Sequence, residues 1–144
     1  MILMIIDATD LVLGRVASRI AKELLNGSEV IIVNADKAVI SGERKSTLSQ
    51  YDAWTKVRSL VDPTQGPFHP KRPGDLFRRT VRGMLPMKKA KGKEAFKRLK
   101  THSGVPSKYE NEEMETFPKA NIKQLGTRRF IRLGELSKHL REGK

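Results

Sequence analysis

The sequence predicts one α/β domain. Its opening apolar segment Met1–Ile6 and the apolar run "VIIVN" that starts at Val30 have the length of short buried strands. An amphipathic helix pattern lies between them, and a strand–helix–strand unit of this length favours parallel pairing through a right-handed crossover. With 144 residues and no internal repeat, the chain has the size of a single domain with one core.

The first helix is predicted from Leu13 onward. Charged side chains such as Arg15, Arg19 and Lys22 lie on one side of it, and apolar side chains recur at helical spacing on the other. The pair Asn26-Gly27 supplies a stop signal at its carboxyl end. The apolar positions are Val16, Ala17, Ile20, Ala21, Leu24 and Leu25.

A second helix is predicted from Ser46 to Leu60, and an irregular loop follows it. The residues that this helix would turn toward the core are Leu48, Tyr51, Trp54, Val57 and Val61. The stretch 62–75, "DPTQGPFHPKRPGD", holds four prolines and two glycines, which is typical of a loop.

Shorter elements complete the predicted domain. Asp75 is expected to cap a helix that runs to Leu85, where Pro86 ends or bends it, and a further helix is expected over Lys93–Leu99. The stretch "YENEEMETFP" is predicted to be an acidic surface loop, and "RRFIRLGELSKHL" a short strand followed by a C-terminal helix.

The charge is distributed unevenly along the chain. The formal net charge is +13, and residues 56–100 hold 14 basic and 3 acidic side chains, whereas residues 1–55 hold 6 basic and 7 acidic ones. We call residues 62–100 the basic arm and expect it to be inserted within a single domain, 1–144. So much positive charge opposes compaction unless an anionic partner neutralises it, so the distribution predicts a polyanion as partner.

Several other chemistries are disfavoured. The chain has no cysteine, which excludes disulfides and thiolate metal sites. The nearest match to a phosphate-binding P-loop is Gly92-Lys93-Glu94, where a carboxylate replaces the metal-binding hydroxyl. The three histidines lie far apart and share no ligand spacing. Neither a metal, a cofactor nor a small-molecule substrate is therefore expected.

Membrane association is also disfavoured. No apolar run approaches the ~20 residues needed to span a bilayer. Met1–Ile6 lacks the basic flank and cleavage pattern of a signal peptide. Prolines interrupt the basic arm, which argues against a long helix lying on a lipid surface. We therefore expect a soluble, cytoplasmic protein with no membrane partner.

Nucleic acid is the polyanion that the basic arm fits best. Arginine contacts phosphate bidentately and lysine acts as a mobile point charge, and neutralising ~8 phosphates would give a log–log salt slope of roughly −6 to −7. Aromatic residues are sparse in the arm, which favours backbone and shape recognition of folded RNA over base stacking. The predicted phosphate contacts are Lys71, Arg72, Arg78, Arg79, Arg82, Lys88, Lys89, Lys91, Lys93, Lys97 and Arg98, with Arg128 and Arg129 as secondary candidates.

Two residues are expected to shape the arm, and two rival functions stay open. Gly83 either permits a close backbone approach or simply ends a helix, and Pro86 stops the helix so that the following lysines diverge.

One rival function is that of an RNA-acting enzyme, because small α/β sheets often carry active sites at their strand ends. The other is a DNA-compacting basic protein, since composition does not separate RNA from DNA.

The stretch "VRGMLPMKKAKGKEAFKRLK" resembles the universal large-subunit ribosomal protein thirteen family. The family signature is a basic residue and Gly-Met-Leu-Pro, a short basic spacer, a glycine, and a helix ending in Leu-Lys before a strand. Three other stretches, "DATDLVLGRVASRIAKELLNG", "VIIVNADKAVISG" and "HPKRPGDLFRRTVRGMLP", are also similar to the family. Thr101-His102 departs from the bacterial pattern, and "FHPKRPGDLF" is similar to the archaeal and eukaryotic branch.

The resemblance implies a more specific fold and function. The implied fold is a three-layer α/β/α domain with a small, mostly parallel sheet, from which the basic arm extends. The implied partners are large-subunit ribosomal RNA and neighbouring large-subunit proteins in the cytoplasmic ribosome. The implied role is structural, in subunit assembly, with neither catalysis nor a cofactor.

Overall fold

The two apolar segments form neighbouring parallel strands. A computed structural model describes residues 2–124, 126 and 129–142. In it β1 (Leu3–Asp7) pairs with β2 (Glu29–Val33) so that Ile5 lies opposite Ile31. Helix α1 (Leu13–Leu25) connects the two strands, and Gly27 follows it with a φ of +97°. The predicted parallel strand–helix–strand unit is therefore confirmed.

Two further strand pairings complete the described β structure. Strand β4 (Leu99–Thr101) adds to the other edge of β2 in parallel, with Leu99 opposite Val30, so the sheet order is β1-β2-β4. Strands β3 (Val39–Ser41) and β5 (Phe130–Arg132) form a separate antiparallel pair. The predicted α/β class with a small, mostly parallel sheet is confirmed.

The two faces of the three-stranded sheet are covered differently. On one face Ile6, Val30 and Ile32 belong to the main core, together with the buried side of α1 and with Phe77. On the other face Ile5, Ile31 and Val33 pack against Tyr109 in a smaller cluster that Val105 and Met114 border. The chain over this second face includes the 3-10 turn Ser107–Tyr109.

The second helix ends earlier than predicted. Helix α2 covers Arg44–Thr55, and Tyr51 and Trp54 are half-buried against the core as expected. The expectation that Val57 and Val61 face the core is wrong, because they are 55% and 97% exposed. Once the helix stops at Thr55, their spacing no longer places them on its inner side.

The helices of the basic arm also have different bounds. Helix α3 covers Pro73–Arg82 rather than beginning after Asp75, because the fixed φ of proline suits the first helical position. Helix α4 covers Ala90–Lys97 and ends there because Leu99 enters β4. The C-terminal helix α5 (Leu133–Glu142) follows β5 directly, as predicted.

The basic arm is packed into the fold through its two helices and the strand that follows them. Leu76, Phe77, Val81 and Ala95 are all buried in the main core. The irregular chain between α2 and α3 instead exposes large apolar side chains, of which Leu60 and Phe68 are 87% and 77% exposed. Among the described residues, no helix is long and apolar enough to cross a membrane.

Candidate nucleic-acid interface

Helix α3 buries an apolar side and exposes a cationic one. Leu76, Phe77 and Val81 recur at helical spacing and are buried, whereas Arg79 and Arg82 are exposed. Lys71 and Arg72, which precede the helix, are exposed as well. The periodicity of the sequence therefore separates packing residues from the predicted phosphate contacts.

Two arginines of α3 also contact aromatic rings. The guanidinium of Arg78, which is half-buried, lies 4.6 Å from the ring centroid of Phe96 and so links α3 to α4. Arg79 lies 5.9 Å from the Trp54 ring centroid and donates a 3.3 Å hydrogen bond to the Phe68 carbonyl. Each side chain thus helps to position the arm, and their predicted phosphate contacts stay predictions.

The turn between α3 and α4 is held by its own backbone. The Met84 amide donates to the Val81 carbonyl at 2.9 Å, and the Lys89 amide donates to the Pro86 carbonyl at 3.0 Å. Leu85 is buried and anchors this turn to the core, while Lys88 and Lys89 are exposed. An apolar anchor therefore fixes the backbone from which the lysines extend.

The close backbone approach occurs at Gly92 and not at Gly83. A Cβ added at Gly92 would lie 2.1 Å from the Pro86 carbonyl oxygen, so only glycine lets α4 pack against the turn in this way. A Cβ at Gly83 would come no nearer than 3.6 Å to the Thr80 carbonyl oxygen, and Gly83 caps α3 with a helical φ of −65°. Gly83 is therefore a helix-ending residue, and the expectation that the helix runs to Leu85 and stops at Pro86 is wrong, because α3 ends at Arg82.

Most of the predicted contacts are exposed cations without an acidic partner. None of their own side chains forms an ion pair or a hydrogen bond within the part of the chain that the structure describes. In α4 the buried residues are Gly92 and Ala95, and the charged residues alternate with them toward solvent. The cations concerned are Lys71, Arg72, Arg82, Lys88, Lys89, Lys91, Lys93 and Lys97.

Arg98 makes an internal contact. Its guanidinium is half-buried and donates a 2.5 Å hydrogen bond to the Leu24 carbonyl at the end of α1. The last carbonyls of a helix lack intrahelical donors and carry the negative end of its dipole. Arg98 therefore joins α1 to the end of the basic arm, and its predicted phosphate contact stays a prediction.

We expect Arg98→Met to lower the free energy of unfolding by about 1–2 kcal/mol, because a charged hydrogen bond at a helix terminus is lost. Lys97→Met is the matched control. It removes a neighbouring exposed cation, so its effect on stability should stay within about 0.5 kcal/mol. Urea denaturation of both variants measures the difference, and equal stabilities would contradict the structural role of Arg98.

The secondary candidates lie near β5. Arg128 is outside the described residues. Arg129 is exposed, and its backbone carbonyl accepts a 2.9 Å hydrogen bond from the Gly42 amide beside β3. Its predicted phosphate contact stays a prediction.

One cation that the sequence did not single out adjoins the arm. Lys22 lies on the exposed side of α1 and lines a groove of about 500 Å³ together with Met84 and Lys91. The cationic surface therefore continues from the arm onto α1. Helical periodicity predicted only that Lys22 is exposed. That Lys22 lies beside the turn of the basic arm is a result of tertiary packing.

Polar side chains at the carboxyl ends of the parallel strands form hydrogen bonds with one another and with the nearby backbone. Asp7 accepts hydrogen bonds from the Thr9 amide and hydroxyl at 3.0 and 2.6 Å and from the Asn34 side chain at 3.0 Å. Burial alone would raise the pKa of Asp7, but these bonds and the charge of Lys37 bring it below its ordinary value. Among the described residues, no group of three His, Asp or Glu side chains is placed to hold a metal ion.

These features define an α/β protein with a dense cationic surface. The family model described as "Ribosomal protein L13" matches residues 2–108. The chain is 46% identical over 137 residues to the protein named "Large ribosomal subunit protein uL13" of Methanosarcina barkeri, covering 94% of this chain and 96% of that protein. The proteins of the same name from Methanococcoides burtonii and Methanopyrus kandleri are 43% and 44% identical over 94% of this chain and 96% and 85% of their own lengths.

The chain therefore belongs to the ribosomal protein L13 family, and the relatives cited are archaeal, as the resemblance in the sequence implied. This family is a structural component of the ribosome, so the chain is not an enzyme. The rival interpretation as an RNA-acting enzyme is set aside on this finding.

Proposed function

We propose that this chain is a structural protein of the large ribosomal subunit that binds large-subunit ribosomal RNA through its basic arm and supports subunit assembly. The observation that carries the proposal is the set of exposed, unpaired cations on α3, α4 and the turn between them, within the described residues. The names of the archaeal relatives support the ribosomal assignment. Its proposed location is the cytoplasmic ribosome, beside neighbouring large-subunit proteins.

Shape and backbone recognition is the proposed mode. The arm's apolar residues are buried against the domain, so its backbone is fixed before RNA binds and little ordering entropy opposes association. The lysines around the turn act as point charges that adapt to the phosphate positions of folded RNA. Binding then releases counterions, and this release makes the affinity depend steeply on salt.

Filter binding of the full chain to folded large-subunit rRNA, repeated over a salt series, tests this proposal. We expect a log–log slope of about −6 to −7, as ~8 contacted phosphates would produce. A duplex DNA of equal length is the control, because a DNA-compacting protein would bind it as tightly as folded rRNA. Equal affinities, or a slope near zero, would contradict the proposal.

A further inference from the structure

A furrow between α2 and α3 combines aromatic rings with an arginine. It has a volume of about 370 Å³, within the range of small-ligand sites at about 300–1,000 Å³. Tyr51, Trp54 and Leu76 form its apolar lining, and the exposed Arg79 and Gln50 stand at its rim with Thr80. The basic arm lacks such a pair of rings, since Tyr51 and Trp54 come from α2.

The rings of this furrow are held in fixed positions. Trp54 packs edge-to-face against Tyr51 at 5.7 Å and against His69 at 4.5 Å between ring centroids. His69 in turn donates a 2.7 Å hydrogen bond to the Val57 carbonyl, which ties the loop after α2 to the rings. The Arg79 guanidinium lies 5.9 Å from the Trp54 centroid, at the outer limit of a cation–π contact.

A second groove continues the furrow toward α1. It has a volume of about 420 Å³ and shares Tyr51 and Thr80 with the first, and Gly14 and Arg15 also line it. Arg15 is exposed and has no ion-pair partner in the described parts of the chain. The two grooves therefore share Tyr51, and each is lined by one arginine, Arg79 in the first and Arg15 in the second.

We propose that this furrow binds one unpaired nucleotide of the RNA, with the base against Trp54 and Tyr51 and the flanking phosphates at Arg79 and Arg15. The inference rests on the proposed function and adds a ligand class to it. Aromatic rings stack on the face of any base, and the two lining arginines supply positive charge for the phosphates of the same strand. A tyrosine hydroxyl is protonated at neutral pH, and burial raises the pKa of Tyr51 further, so this hydroxyl is able to donate to a base edge.

Trp54 is the only tryptophan in the chain, so its fluorescence reports on the furrow directly. The probes are a short RNA hairpin with one bulged adenosine and the same hairpin without the bulge. We expect the bulged hairpin to quench Trp54 and to bind about tenfold more tightly, as stacking of one base predicts. The paired hairpin should bind through the lysines and leave the fluorescence unchanged.

Two variants and a control test whether the preference for the bulged hairpin arises in the furrow. Tyr51→Leu removes a ring but keeps an apolar side chain, and Thr80→Met fills the furrow where its two parts meet. Both should abolish the preference for the bulged hairpin, and thermal melting checks that each variant folds. Lys88→Ala should weaken binding of both hairpins by the same factor and preserve the preference.

The outcomes separate this inference from the proposed function. Salt-dependent binding of both hairpins with equal affinity and no quenching would overturn the nucleotide site and leave the basic arm as the RNA contact. Quenching that survives Thr80→Met and Tyr51→Leu would also overturn it. If the furrow instead receives a protein side chain, neither hairpin will quench Trp54, and the nucleotide proposal fails.

Discussion

Gly92→Ala is expected to destabilise the protein by about 2–3 kcal/mol, although alanine is ordinarily the better helix former. The new Cβ would lie 2.1 Å from the Pro86 carbonyl oxygen and 2.4 Å from its carbon. These are backbone atoms of a turn that Leu85 anchors in the core, so they have little freedom to move away. Helix α4 must shift instead, which disturbs the packing of Ala95 and Phe96.

Calorimetry or thermal melting monitored by circular dichroism measures this effect. For a chain of this size, a loss of about 2–3 kcal/mol in the free energy of unfolding lowers the melting temperature by about 5–10 °C. Gly83→Ala is the matched control, because a Cβ there meets only ordinary contacts and the backbone is already helical. The control should change stability by less than about 0.5 kcal/mol. Equal melting temperatures for the two variants would contradict the packing described at Gly92.

The triple variant Lys88→Ala, Lys89→Ala, Lys93→Ala is expected to flatten the salt dependence of rRNA binding by about two to three units of log–log slope. These side chains are exposed and form no ion pair with any described residue. Their removal takes away phosphate contacts without opening a cavity. Stability should stay the same or rise slightly, because self-repulsion within the arm decreases.

A second triple variant controls for net charge. Lys45→Ala, Lys119→Ala and Lys123→Ala remove the same charge from exposed positions outside the arm. Their effect on the slope should be below one unit, since long-range attraction is screened within about 10 Å at 0.1 M salt. If both triple variants flatten the slope equally, general charge and not the arm governs binding.

The strand–helix–strand opening was predictable because local pattern and tertiary packing agree there. The segment from Met1 to Val33 has uninterrupted apolar strands, a strongly amphipathic helix and a glycine stop, and each feature is local in sequence. Beyond Trp54 the apolar spacing continued while the helix ended, so Val57 and Val61 were misplaced. The spacing of apolar residues does not indicate the residue at which a helix ends.

The sequence predicted which residue types form the candidate site. It did not predict which of these residues are exposed and which make contacts inside the protein. Charge density alone indicated the exposed lysines of the turn and α4. The contacts of Arg78 with Phe96 and of Arg98 with the Leu24 carbonyl join residues from different elements. The close approach at Gly92 likewise depends on how α4 meets the turn. Such contacts arise from tertiary packing, which spacing along the chain does not encode.

Lysine footprinting tests most directly whether the basic arm contacts ribosomal RNA. The full chain is acetylated free and in complex with folded large-subunit rRNA, and the modification of each lysine is compared by mass spectrometry. The proposed contact predicts strong protection at Lys88, Lys89 and Lys93 and unchanged reactivity at Lys45, Lys119 and Lys123. Uniform protection of all six, or protection confined to the second three, would contradict it.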